Sequence, residues 1–298
     1  MSSLSEAAAS VPVFVPVEKA RVRANLQARL AGRDPAPTTV GRYTLRARIG
    51  QGAHGVVYRA HDPKLDREVA LKLVLSPESD HAVLAEAHAL AKLTHPNVVA
   101  VYDVGALDHA VYIAMEWVRG MTLRDWFECE PRSERETIRV MLDAGRGLHA
   151  AHVAGLVHQD FKPHNVMVGD DGRVRILDFG LAQPASAAGS PVAGTPDYMA
   201  PEQRRGVTPN ALCDQYSFCV TFHEALTRRR PAAGRLARVW LALAKPILAR
   251  GLREDPQERH TSIATLIQRF ERRRILALAA ALVVAGSLGA LLMRALLG

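Results

Sequence analysis

Between Gly41 and Glu116, apolar and polar positions alternate in short runs, the period of half-buried strands. "RYTLRARIG", "GVVYRAHD" and "EVALKLVL" carry this pattern, with glycines bounding the first two. "HAVLAEAHALAKLT" interrupts it with apolar residues at helical spacing and ends before His95-Pro96-Asn97. "VVAVYDVG" and "AVYIAMEWV" resume the alternation and complete a small sheet. After "RGMTL" the period becomes helical, in "ERETIRVMLDAGRGLHAAHVAG", "PNALCDQYSFCVTFHEAL" and "LARVWLALAKPILARGL". A sheet-rich part followed by a helix-rich part predicts an α+β fold in two lobes, 41–116 and 121–270. Residues 1–40 read as an extension: a Ser/Ala/Pro-rich start, a basic stretch "VEKARVRANLQARL" of helical character, and a loop. No repeat is present.

The pattern changes once more at the far end. "ILALAAALVVAGSLGALLM", residues 275–293, holds no charge and no polar face. As a helix it would be about 29 Å long, near the thickness of a bilayer's hydrocarbon core. Arg272, Arg273 and Arg274 precede it and Arg294 follows. A single transmembrane helix is expected, embedded in membrane lipid, with the larger basic cluster keeping the globular part cytoplasmic. Ala285 and Gly289 fit a small-xxx-small pattern, which leaves a dimer open. The start of the chain lacks the basic-then-apolar pattern of a signal peptide.

Composition narrows the class. The 298 residues are 48% hydrophobic and 23% charged, with a net charge of +8. A solvated arginine-rich surface accounts for that excess, and no nucleic-acid partner is expected. Cys129, Cys213 and Cys219 are odd in number and lack metal-ligand spacing, so neither a disulfide framework nor a metal site is indicated. All three are expected to pack in the core.

The chemistry concentrates in a few stretches. "IGQGAHGVVY" places Gly50, Gly52 and Gly55 between two strands, where a backbone without Cβ atoms can lie close over phosphates. Lys72 sits in "VALK" between apolar neighbours, a costly position unless paired, and Glu86 on the following helix is a candidate partner. "HQDFKPHN" supplies Asp160, Lys162 and Asn165, and "DFG" supplies Asp178. Asp160 can orient an acceptor hydroxyl, Lys162 can neutralise a transferred phosphate, and Asn165 and Asp178 offer hard oxygen ligands suited to Mg²⁺. "GDDGRVR" lies between those ligands as a turn, so a hairpin would bring them together.

These motifs, with "APE" at 200–202, resemble the protein kinases, specifically the bacterial membrane-linked Hanks-type Ser/Thr kinases, over roughly residues 41–270. The resemblance implies ATP and Mg²⁺ as cofactors and protein Ser/Thr hydroxyls as acceptors. It makes Asp160 the catalytic base and gives Lys72, held by Glu86, to the α- and β-phosphates. Lys162 serves the γ-phosphate, and Asn165 and Asp178 serve the metal. The nucleotide site would take Ile49, Gly50, Gly52 and Gly55, then Val57, Ala70 and Met167 around adenine, then Glu116 to Val118 as the hinge, with Met115 gating the pocket behind it. Val101, Leu90, Phe179 and His158 would form an internal spine. Thr195 would bond Asp160 and Lys162, Glu202 would pair with Arg259, and Asp214 would hold the catalytic-loop backbone.

Two features depart from the family. Gln159 stands where many relatives carry an arginine that meets a phosphorylated activation segment, so activity without strong dependence on that phosphorylation is expected. The stretch between "EALTRRRP" and "LARVWLALAKPILARGL" is short, which keeps a second reading open: a pseudokinase or nucleotide-binding scaffold with weakened catalysis. A small-molecule phosphotransferase is a third, opposed by "GTPDYMAPEQ".

Overall fold

The computed structural model describes residues 37–52, 55–75, 80–107, 110–179, 195–227, 240–273 and 275. The basic stretch of the extension, the apolar run beyond Ile275, Ser186, Ser190 and the short stretch at 228–239 lie outside them. The chain divides into two compact units, Met1–Lys92 with Ala100–Val118, and Leu93–Val99 with Arg119–Gly298.

The first unit is built on an antiparallel sheet of six strands. They are β1 (Thr39–Val40), β2 (Tyr43–Gly52), β3 (Gly55–Asp62), β4 (Arg67–Leu75), β5 (Val101–Leu107) and β6 (Ala110–Glu116), in the order β1-β2-β3-β4-β6-β5. One face buries Tyr43, Val56, Tyr58, Ala60, Leu71 and Leu73. Helix α1 (Asp80–Ala91) lies against β5 and β6. The edge is held by charge: Arg42 reaches Asp62 (3.1 Å) and Asp103 (2.8 Å), and the Tyr43 hydroxyl donates to Asp103 (2.8 Å). The register explains what alternation along single strands could not. Gly50 faces Val57, Val57 faces Lys72, and Lys72 faces Ile113, so these residues form one row across four strands.

The predicted helix through Thr94 stops at Ala91 instead, and β5 begins at Val101. Residues 93–99 between them serve the second unit. There Asn97 Nδ2 donates to the Val174 carbonyl (2.9 Å), Ile176 N–H donates to the Asn97 carbonyl (3.0 Å), and Val99 N–H donates to the Ile176 carbonyl (3.0 Å). Backbone groups so engaged are unavailable to a helix or a regular strand.

The second unit is mostly helical. Helix α2 (Leu123–Cys129) starts at Thr122, whose hydroxyl accepts from Asp125 N–H. Helix α3 (Glu134–Val153) starts with a reciprocal capping box between Ser133 and Glu136. Strands β7 (Gly120–Thr122), β8 (Val166–Gly169) and β9 (Val174–Ile176) form a small antiparallel sheet. Then come α4 (Pro201–Arg204), α5 (Ala211–Thr227), α6 (Trp240–Gly251) and a further helix, α7, over 263–273. Ring contacts run from His158 through Phe161, Phe218 and Phe222 to Phe270, with centroid separations of 5.3–5.8 Å. That column ties α5 and α7 to the loop carrying the chemistry.

Cysteine burial differs from expectation. Cys213 and Cys219 are buried, whereas Cys129 is exposed. Cys129 ends α2, a two-turn helix whose buried side is supplied by Leu123 and Trp126. Among the described residues no helix is long and apolar enough to cross a membrane.

The predicted ligands Asn165 and Asp178 flank the β8–β9 hairpin, so its clamp on Asn97 matters. Helix α3 passes against that clamp at Gly147, where an added Cβ would lie 2.3 Å from the Asn97 carbonyl oxygen. Gly147→Ala is expected to lower unfolding stability by about 1–3 kcal/mol, the usual scale of overpacking. Urea denaturation measures it, and an unchanged midpoint would contradict the clamp.

Candidate active site

The site in the second unit begins with Asp214 in the first turn of α5. Its side chain is 1% exposed, so its charge must be met by donors. Oδ2 accepts from His158 N–H (2.7 Å) and lies 2.7 Å from His152 Nε2, while Oδ1 accepts from Gln159 N–H (2.8 Å). These bonds pin two successive peptides of the loop before Asp160.

The pinned loop is strained. Gln159 has φ = 69°, in the left-handed region, and Asp160 N–H donates back to the His158 carbonyl (2.9 Å). A bond from residue i+2 to residue i across a positive φ closes a tight γ-turn, which is rare for a residue with a Cβ. His158 supports it from inside. Its Nε2 sits 2.8 Å from the Leu177 carbonyl, which can only accept, so Nε2 carries the proton. Nδ1 is then free to accept from Asp160 N–H (3.3 Å). Burial pushes the imidazole's pKa down and keeps it neutral. Its ring packs 4.9 Å from that of Phe179.

The turn delivers Asp160 into a cluster of donors. Lys162 Nζ donates to Asp160 Oδ2 (2.6 Å) and to Thr195 Oγ1 (2.6 Å). Thr195 N–H donates to Asp160 Oδ1 (3.0 Å). Asn165 Nδ2 donates to the Asp160 carbonyl (2.8 Å) and to Oδ2 (3.2 Å). The Asn165 amide is thus oriented by its nitrogen, which leaves its oxygen to act as a ligand. Asp178 follows β9 with φ = 50°, and Leu177 N–H donates to the Asn165 carbonyl (2.8 Å), so the hairpin brings the two oxygen-bearing residues together. Met167 pairs in register with Arg175 and Thr122 on the same small sheet. Asp170 and Asp171 are turn residues. Arg175 and Arg173 hold the Asp171 carboxyl well below the usual carboxylate range.

The segment after Thr195 is anchored by a second buried charge. Glu202 and Arg259 meet through two bonds of 2.6 and 2.8 Å. Burial alone would raise the Glu202 pKa, but Arg259, a backbone donor and Cys213 bring it below its ordinary value. The remaining guanidinium donors go to the carbonyls of Arg253, Leu212 and Glu254. Tyr198 donates from its hydroxyl to Glu224 (2.5 Å), which also accepts from Arg124 (2.9 Å).

The remaining predicted residues lie in the first unit. Lys72 is 4% exposed. Burial raises the Glu86 pKa, and the nearby charge of Lys72 works against that rise. Ala70, two positions before Lys72 and on the same face, faces Met115 on β6. Glu116 pairs with Val69 on the opposite face, Val118 is buried just beyond the strand, and Ile49 is 42% exposed on β2. The glycines differ in what they permit. Gly55 has φ = 129° and a Cβ there would strike the Leu73 carbonyl oxygen at 2.0 Å, so the fold itself demands glycine. At Gly50 the closest atom among the described residues would be 3.9 Å away, so none of them crowds that position. Gly52 ends β2 opposite Gly55.

Two contributors escaped the sequence reading. His152, in the last turn of α3, and Gln203, in α4, reach the loop only through tertiary contacts, and neither has a spacing that announces it.

Comparison with known proteins bears on this constellation. Residues 43–242 match the family model described as "Protein kinase domain". The chain is 36% identical to the probable serine/threonine-protein kinase PknB of Bifidobacterium longum, over 67% of this chain and 32% of that one. It is 35% identical to the serine/threonine-protein kinase PrkC of Bacillus subtilis, over 66% and 32%. It is 38% identical to the serine/threonine-protein kinase PknL of Mycobacterium tuberculosis, over 68% and 54%. The matched region therefore spans between a third and about half of these relatives' length.

Burial lowers the pKa of three histidines of the second unit, His95, His158 and His260, from an ordinary value of 6.5. A depressed folded-state value means that stability is full above pH 6.5 and is lost as pH falls toward the folded values, because the unfolded chain binds the extra protons. Urea midpoints are expected to fall steadily from pH 7 to pH 5. A profile flat across that window would show that these rings are not held neutral.

Proposed function

The chain belongs to the protein kinase family, and on that premise we propose that it is a serine/threonine protein kinase, moving the γ-phosphoryl group of ATP to hydroxyls of protein substrates. The observation that carries this reading is the cluster of Asp160, Lys162, Asn165 and Thr195, joined by hydrogen bonds of 2.6–3.2 Å. Asp160 accepts the hydroxyl proton as the new O–P bond forms and the bond from the γ-phosphorus to the bridging oxygen breaks. Lys162 lies against both Asp160 and Thr195, where its ammonium can offset charge on the transferred group. Lys72, with Glu86 behind it, serves the α- and β-phosphates, and the open position at Gly50 lets backbone come close to them. Asn165 and Asp178 offer the oxygen donors that Mg²⁺ prefers, and a few protein ligands suffice for an ion that also takes phosphate and water. When bound, Mg²⁺ supplies charge neutralisation on the phosphates.

Lysine two positions after the base, as in other Ser/Thr kinases, supports serine and threonine as acceptors. Gln159 supports a second part of the proposal. Its side chain is neutral and cannot clamp a phosphate with charge-assisted bonds. Its loop is instead held through backbone bonds to Asp214 and Gln203. These features support activity that does not depend strongly on phosphorylation within the activation segment.

Transfer of labelled phosphate from ATP to a generic basic protein tests the reading. Asp160→Asn and Lys72→Met are each expected to lower the rate at least a hundredfold. Phosphatase pretreatment of the parent is expected to cost little of its rate, and a large loss would count against weak dependence on phosphorylation. ATP binding without transfer by the parent would favour a nucleotide-binding scaffold.

The apolar run at 275–293 supports a location at the membrane, with the kinase domain on the cytoplasmic side. The full chain is expected to stay with membranes through an alkaline carbonate wash, while a chain lacking 275–298 is released. Release of both would end the membrane reading.

A further inference from the structure

We infer that Gln203 is a positioning residue for phosphoryl transfer, acting on Asp160 through the peptide of Gln159; this rests on the kinase reading above. Gln203 Nε2 donates to the Gln159 carbonyl (2.9 Å), while the N–H of Gln159 donates to Asp214 (2.8 Å). Gln159 is thus held at both ends, by side chains from α4 and α5. It needs holding, because its φ of 69° is unfavourable for a residue with a Cβ and closes the turn that aims Asp160. Without the Gln203 donor, the peptide gains by leaving the left-handed region, and Asp160 turns with it.

A second observation sets Gln203 apart from ordinary packing. The residue is 2% exposed, yet its Oε1 has no hydrogen-bond partner among the described residues. An amide buried with half its polar capacity unmet is a poor filler, since an unpaired buried acceptor costs stability. What its nitrogen does for Gln159 is the interaction that offsets that cost. The link also joins two parts of the reaction. Gln203 follows Glu202, whose bond to Arg259 fixes α4, and α4 follows the segment in which Thr195 and Tyr198 are tied to Asp160 and Glu224. The segment that would receive a protein substrate and the loop that would deprotonate it are therefore set by adjacent residues.

The test is a double-variant cycle. Gln203→Met keeps the volume and removes both the donor and the orphan acceptor, so the fold should tolerate it. It is expected to lower kcat about tenfold, the scale of one hydrogen bond, with KM for ATP within about twofold. In a Gln159→Gly background, where positive φ carries no steric cost, the same substitution is expected to cost much less. Equal losses in both backgrounds, or an unchanged kcat, overturn the inference, since a packing defect would not be relieved by glycine at position 159. Hydrogen exchange over residues 156–162 reads the same hinge without turnover. Gln203→Met should speed it about tenfold, and less so in the Gln159→Gly background. If the parent transfers no phosphate, the kinase reading falls, and exchange alone decides whether Gln203 holds the turn.

Discussion

The Asp214 carboxylate is the constraint from which the rest of the site follows. A charge so buried is unstable unless donors surround it. The donors available are the N–H groups of His158 and Gln159 and the ring of His152. Meeting Asp214 therefore requires two consecutive amides to point the same way. That is incompatible with an extended chain, in which neighbouring amides alternate, and beyond them the chain turns back through the positive φ at Gln159. The turn then sets the direction of Asp160, and Asp160 collects Lys162, Asn165 and Thr195 around it. One buried charge thus converts helix position into catalytic-loop geometry.

The Glu202–Arg259 pair applies the same logic to the neighbouring segment. Arg259 has five N–H donors, and all five have acceptors: two carboxylate oxygens and three carbonyls. A buried pair contributes little net stability when complete, but losing one partner strands the other. Its effect is to make one arrangement far better than its neighbours. The carbonyls come from Leu212, Arg253 and Glu254, so the pair joins α4 to the start of α5 and to the loop before α7. The column of rings from His158 to Phe270 runs through the same helices and adds apolar contact where the charges add direction.

Much of this was legible in the chain because it rests on local patterns. The strands alternate, α3 and α5 show helical spacing, and the motifs around Asp160 and Asp178 flank one hairpin. Thr195, Glu202 and Asp214 could be assigned from the family resemblance, and the structure places each beside the partner named for it. Two-residue β1 and the seven residues of α2 are too short for a period to emerge. The assignment of residues 93–99 to the second unit depends on Asn97 and β9, which are far apart in sequence. Cys129 reads like its buried counterparts because composition does not reveal which side of a short helix faces solvent. Gln203 gives no signal at all, since its bond to Gln159 spans 44 positions.

The neutral residue at 159 takes its meaning from this framework. An arginine there would offer the loop a charged handle, and a phosphate could then stabilise the loop from outside. Glutamine removes the handle, but the turn does not open, because the bonds that close it use the backbone of residue 159 and side chains at 203 and 214. The energy needed to hold the strained peptide comes from buried contacts within the second unit, so the ordered loop is a property of the folded unit. The side chain at 159 thus carries no charge to meet a phosphate, and the bonds that order the loop draw on its backbone alone.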